Sequence, residues 1–130
     1  MRLQLIVALA ATSALASCTN PFGATICTLN VEQAVVVEIR DARTGVALAA
    51  GARGAVRDGA YADSLRPHAS SGSSPSVLYS RAAADERVGT YAVDVRHAGY
   101  RPWTVAGVRV TRDKCHVRTR NLRANLDLER

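Results

Sequence analysis

Six side chains have the chemistry to bind a metal, carry a covalent group or activate a nucleophile: Cys18, Cys27 and Cys115, and His68, His97 and His116. Their spacing does not suit a metal. Cys115 and His116 are adjacent, and neighbours on an extended chain point to opposite faces. His68 and His97 stand at no ligand-like interval from them. A nucleophile needs a base beside it, and His68 lies near Ser70 and Ser71, but the surrounding PHASSGSSP has the composition of a flexible loop. The sequence has no G-x-S-x-G, no H-E-x-x-H and no glycine-rich phosphate loop. Asp85 and Glu86 read as a solvated turn, and Asp94 and Asp127 as outward positions that pair with arginines. No catalytic set, metal or cofactor is expected.

The one thiol with an evident covalent role is Cys18. Arg2 precedes an apolar run over residues 3–15, and small residues lead into Cys18. That is the layout of a secretory signal, and the run is too short to span a bilayer. Leu15-Ala16-Ser17-Cys18 resembles the bacterial lipobox. The resemblance implies cleavage before Cys18 and acylation there, with several acyl chains giving firm anchoring where one would be marginal. The competing pattern is plain secretion, since Ala14-Leu15-Ala16 fits an A-x-A cleavage site. Cysteine parity favours the lipid: with Cys18 acylated, Cys27 and Cys115 remain as a pair that an oxidising compartment would join. Two independent buried thiols are the alternative. Residues 1–17 are thus read as a signal peptide, 18–30 as a lipidated tether and 31–130 as one domain.

The elements that position these residues read as short strands. Val35, Val37 and Ile39 alternate with Val36, Glu38 and Arg40, a half-buried strand of period two. A turn follows over residues 41–45, then a weaker strand over 47–57. Asp58-Gly59 signals a hairpin whose return strand, over 60–65, lies at an edge. Residues 67–75 read as loop and 77–79 as a short edge strand. Residues 81–87 (RAAADER) have helical propensity but are too few for a helix, so they read as a connecting turn. Residues 89–96 form the clearest strand, with Tyr91, Val93 and Val95 inward. A turn at Ala98-Gly99-Tyr100 follows. Trp103 and Val105 share one phase and Val108 and Val110 the other, which predicts a β-bulge at Ala106-Gly107. Leu122, Ala124, Leu126 and Leu128 share a face of the last strand. Short strands with glycine turns and no amphipathic helix predict an all-β, seven-strand-type sandwich.

VVVEIRDARTG, GTYAVDV and HAGYRPW resemble the carboxypeptidase regulatory-like domains, which belong with the transthyretin-like (prealbumin-like) sandwiches. The matching features are the turn from Asp41 to Gly45, the G-x-Y strand from Gly89 to Tyr91, and Gly99-Tyr100. The likeness covers roughly residues 33–128; the polar stretch 67–75 departs from the compact family pattern. It implies a binding, spacing or scaffold module and transfers no catalytic residue.

The 130 residues carry a net charge of +6, and Lys114 is the single lysine. The arginines are scattered singly, as on a solvated surface. An anionic partner is the alternative, with Arg96, His97, Arg101 and Arg109 near one another. Aromatics are 5% of the chain, so the core is built of small side chains and a covalent staple would help it. Tyr100, Arg101 and Trp103 are the candidate ligand-facing residues, with a place in the core the favoured alternative for Trp103. Tyr61 and Tyr79 mark edges where a partner strand could add. Together these features predict a non-enzymatic binding or scaffold lipoprotein of the cell envelope, at the outer membrane because Thr19 and not Asp follows Cys18, with a small secreted envelope hydrolase or a purely structural spacer as the alternatives. Its expected partners are the membrane, through its lipid, and an envelope protein or glycan. Nucleic acid is not expected for an exported chain.

Overall fold

The computed structural model of the chain describes Gly23 and residues 25–69 and 77–130. The signal, Cys18 and the Ser70-Ser71 pair lie outside the described residues. Among those described there are eight strands: β1 (Gln33–Asp41), β2 (Arg53–Asp58), β3 (Tyr61–Ser64), β4 (Arg66–His68), β5 (Ser80–Asp85), β6 (Gly89–Arg96), β7 (Trp103–Val110) and β8 (Arg120–Leu126). They form two four-stranded sheets, ordered β4-β5-β1-β8 and β3-β2-β6-β7. All pairings are antiparallel except β1 with β8. The fold is all-β, with one core between two sheets, as a β-sandwich requires.

The core follows from alternation. Val35, Val37 and Ile39 of β1, Tyr91, Val93 and Val95 of β6, and Ala124 and Leu126 of β8 are buried in one cluster. Tyr91 is the largest fully buried side chain. Its hydroxyl donates to the Arg87 carbonyl four residues back, at 2.7 Å, so the one polar atom of that ring is satisfied at the corner entering β6. The Arg87 guanidinium lies 3.9 Å over the Tyr61 ring and pairs with Asp58 at 2.9 Å, which fastens this corner to the β2–β3 hairpin.

Two turn features match the sequence closely. The hairpin loop is Gly59-Ala60, one residue beyond the Asp58-Gly59 signal, because Asp58 pairs with Tyr61. Gly59 takes a φ of 58°, the first-position glycine of a tight hairpin. The β-bulge stands where it was expected: Tyr91 opposes Val108 and Val93 opposes Val105, so β7 carries one extra residue there, with Gly107 at a φ of 70°.

Other segments differ from expectation. Residues 81–87 are not a connecting turn: Ser80–Asp85 is an inner strand, paired with β1 and β4. Ala82, Ala83 and Ala84 are buried, and pairing on both sides overrides a helix propensity of a few tenths of a kcal/mol per residue (about 0.7 at most). Residues 77–79 precede this strand without joining it. His68 lies on β4, an edge strand that tolerates Pro67 because the missing amide faces no partner. Residues 47–52 do not extend β2: Ala47 makes a lone bridge to Arg40, and residues 49–51 form a turn in which the Ala49 and Ala50 carbonyls accept the Arg81 guanidinium at 2.7 and 3.3 Å. Leu128 lies beyond β8 and is 48% exposed, so the buried face of the last strand ends at Leu126.

Strand direction gives the sandwich two unlike ends. At one end lie the incoming strap over residues 25–32, the β5–β6 corner and the hairpin over 111–118 that precedes β8. At the other lie the 41–46 turn, the 97–102 turn and the chain's last residues. β1 runs between them over nine residues, about 26 Å at the usual strand rise. Gly54 on β2 tests the packing beneath this frame. A methyl group there would overlap the Asp94 carbonyl oxygen and stand 2.9 Å from Leu65 Cδ1. Gly54→Ala is expected to destabilise the fold by about 1–3 kcal/mol, read from the urea midpoint, because a backbone oxygen cannot rotate away.

Candidate functional site

At the far end from the strap, Asp41 organises the surface. It closes β1 and its side chain is buried. Oδ1 accepts the backbone N–H groups of Arg43 at 2.8 Å and Thr44 at 2.7 Å, and Oδ2 accepts the Tyr100 hydroxyl at 2.7 Å. The amide of Thr44, then the phenol, then the amide of Arg43 hold its pKa down at about 2. Tyr100 is correspondingly pushed above its ordinary value by the carboxylate it serves. Arg101 N–H donates to the Asp127 carbonyl at 2.8 Å, and Tyr100 bridges to Leu128, so the 97–102 turn is bound to the chain's last residues.

Two grooves open here. One, of about 730 Å³, is lined by Asp41, Arg43, Arg101, Leu126, Leu128 and Arg130, among others. The other, of about 600 Å³, holds Arg53, Arg96, His97, Tyr100 and Pro102. They share Glu129. Among the described residues no carboxylate forms an ion pair with Arg43, Arg101 or Arg130. Arg43, Arg101 and Arg130 share the larger groove with Asp41, Asp127 and Glu129, a mixed-charge lining in which the guanidiniums can meet carboxylate or phosphate groups of a partner. The arginines and the histidine expected to cluster are divided by the fold. Arg96, His97 and Arg101 stand at this end. Arg109 pairs with Thr90 near the opposite end of β7, because Trp103, not Arg109, is the strand's first residue.

Of the candidate ligand-facing residues, Tyr100 and Arg101 border these grooves. Trp103 is half-buried on β7, opposite Val95, and packs against the core. Tyr61 likewise packs on the core beneath Arg87, and Tyr79 lies under Arg40, whose guanidinium is 4.9 Å from its ring. Asp94 pairs with Arg57, as its outward position suggested.

At the strap end, a second polar cluster forms around Glu86. Oε1 accepts the N–H of Glu32 at 2.9 Å and Nδ1–H of His116 at 2.6 Å, while Oε2 accepts the N–H of Val117 at 3.1 Å. Ala84 and Glu86 both take positive φ, 61° and 50°, which turns the end of β5 toward the 111–118 hairpin. This pair of left-handed residues is strained, and the bonds to Glu86 hold it. His116 Nε2 lies 3.0 Å from Thr28 Oγ1 on the strap. Asp113 caps the hairpin tip by accepting the amides of Cys115 and His116 at 2.8 and 2.9 Å. Cys27 and Cys115 form a disulfide with Cα atoms 5.3 Å apart, which bolts the strap to that tip. Glu86 is therefore no solvated turn residue. Hydrogen bonds from Glu32, His116 and Val117 lower its pKa, and its carboxylate raises that of His116.

The order hydroxyl, imidazole, carboxylate in Thr28, His116 and Glu86 is that of a hydrolase triad. Its setting is that of a fastener. Thr28 is exposed on the strap, and the carboxylate that would orient the base is shared with two backbone amides. His68 makes no such set among the described residues: its Nδ1 is 3.3 Å from Ser80 Oγ, and that hydroxyl donates to the His68 carbonyl at 3.0 Å. No three His, Cys, Asp or Glu among the described residues converge as a metal would need. Compared with known proteins, the chain matches no family model and no curated protein.

Two outcomes test the strap end. The disulfide closes a loop of 88 residues, for which the chain-entropy relation gives about 4–5 kcal/mol. Cys27→Ser with Cys115→Ser should lower unfolding free energy by at most that amount, in urea titration. Folding raises the pKa of His116, so its contribution is complete below the ordinary 6.5 and fades as pH climbs through the raised value. Folding lowers Glu86, so its contribution is complete above 4.5 and fades as pH falls through the lowered value. Asp41 extends the acid loss toward about 2. The urea midpoint plotted against pH should therefore peak between about 4.5 and 6.5, and His116→Gln should flatten the alkaline side and, because the imidazole also helps to lower Glu86, soften the acid side.

Proposed function

We propose that this chain is a non-enzymatic lipoprotein of the bacterial envelope, anchored by acyl chains on Cys18. It presents the Tyr100–Arg101 end of a carboxypeptidase regulatory-like sandwich to an anionic envelope glycan or an envelope protein. Its station is the outer membrane, following from Thr19 after the lipidated cysteine. One observation carries the reading: the strap that follows the lipobox is stapled to one end of the sandwich, and the uncommitted arginines lie at the other. A module tethered at one pole, with its arginine-bearing grooves at the opposite pole, is oriented to meet partners away from its own membrane.

The two-sheet architecture and the turn at Asp41 to Gly45 support the family resemblance. A second reading, a small envelope hydrolase, is favoured by the Thr28–His116–Glu86 order. It is the weaker, because Thr28 is exposed on the strap and the Glu86 carboxylate is shared with two backbone amides. Turnover of ester or amide substrates by the purified protein, lost in both Thr28→Ala and His116→Gln, would replace the first reading with this one.

The decisive measurement is the intact mass of protein extracted from native membranes, with and without reductant, beside a Cys18→Ala variant. The expected mass is that of a chain starting at Cys18 with added acyl groups, rising by about two daltons on reduction as one disulfide opens. A chain starting at Ser17 without acyl mass is the outcome that overturns the anchor. In parallel, retention on acidic cell-wall glycan should fall severalfold in Arg43→Glu with Arg101→Glu.

A further inference from the structure

We propose that the stapled end of the sandwich is itself a membrane-docking surface. Ile26, Leu29 and Val31 enter the headgroup layer of an anionic bilayer, while Arg112, Lys114 and Arg118 pair with its phosphates. The orientation rests on the reading of Cys18 as the anchor; the surface chemistry does not.

The apolar half of the surface is unusual for this protein. Its sandwich buries most of its large aliphatic side chains, yet Ile26 is 89% exposed, Leu29 101% and Val31 56%. Single exposed apolar residues are ordinary. Three within six positions, on a strap held fast by a disulfide and a histidine, form a fixed patch. Fixation matters, because a rigid strap presents these side chains without first losing chain entropy on binding.

The cationic half is joined to it by the staple. Arg112 and Val117 pair across the hairpin and Arg118 N–H donates to the Thr111 carbonyl, so Arg112, Lys114 and Arg118 surround the tip that Cys115 fastens to Cys27. All three are exposed, and among the described residues none forms an ion pair. The neighbouring acids are largely committed: Asp113 to two amides and Glu86 to His116, leaving Glu32. Apolar side chains flanked by cations are what an anionic interface binds.

Chain length selects the bilayer over another partner. Cys18 and Ile26 are eight residues apart, which limits their separation to about 28 Å fully extended. An acylated Cys18 thus keeps this end within reach of the headgroups.

The test uses the chain from residue 18 onward with Cys18→Ser, which cannot be acylated, so its result is independent of whether the native protein is. Co-sedimentation compares vesicles of phosphatidylcholine with phosphatidylglycerol in equal parts against phosphatidylcholine alone. Binding to the anionic vesicles is expected, with a loss of roughly tenfold or more in Ile26→Asp with Leu29→Asp, and again in Arg112→Glu with Lys114→Glu. Arg123→Gln, exposed in the middle of β8 and outside both grooves, should leave it unchanged. All these positions are exposed, and a urea midpoint unchanged from the parent chain reports folding for each variant. Equal binding to both vesicles, insensitivity to either pair, or an equal loss in Arg123→Gln would each overturn the proposal. So would dimerisation in the absence of vesicles that Ile26→Asp with Leu29→Asp abolishes, because a second copy would then be the occupant.

Discussion

The Glu86 carboxylate joins the strap, the β5–β6 corner and the hairpin before β8 beyond the ends of their paired strands. It takes one amide from the strap, one from the hairpin before β8, and the imidazole next to that hairpin's disulfide. Each buried amide left without an acceptor would cost about 1–3 kcal/mol, so a carboxylate with two oxygens and several lone pairs is an efficient way to close an end where loops meet. Asp41 does the same at the opposite end with two amides and a phenol, and Asp63 accepts the amide of Ala84 from across the sheets at 2.8 Å. The core is mostly alanine and valine. Side chains that small leave the ends of the sandwich weakly specified by packing, and acidic residues that bind backbone supply the specification instead.

This division of labour explains what was legible beforehand. β1, β6 and the bulge in β7 could be read because period two and one glycine carry their information locally. The cysteine pair could be read because parity is a count, not a geometry. β5 could not: Ala82 to Ala84 has no alternation, since two sheet neighbours and the core leave it buried throughout. β4 was obscured by a proline beside a serine-rich run, though an edge strand needs no amide on its outer side. The carboxylate clusters were invisible for another reason. Glu86 meets residues 54 positions before and 30 after it, and Asp41 meets Tyr100 across 59. Asp41 sits at the end of an alternating strand just before a glycine turn, a position where a carboxylate commonly binds the amides that follow. That signal pointed to its role in the turn, but nothing local named Tyr100.

The parallel pair explains why the two ends belong to one design. β1 leaves the strap and ends at Asp41; β8 leaves the Cys115 hairpin and ends at the residues that line the larger groove. The two run side by side in register from Val35 with Arg120 to Asp41 with Leu126. The disulfide and the Glu86 cluster thus fix the starting points of the same two strands whose ends carry Arg43 and Arg130. Parallel pairing without a helical crossover leaves a long connection to control, and the staple controls it. Binding groups need support that does not slide. Here the support is a clamp at the beginning of the strands, about 26 Å from the groups it positions. A slip of one residue between β1 and β8 would turn Ala124 and Leu126 out of the core and carry the chain's last residues away from Asp41. The same bonds that close the strap end therefore hold the register that places Arg101 N–H on Asp127 and Tyr100 on Asp41.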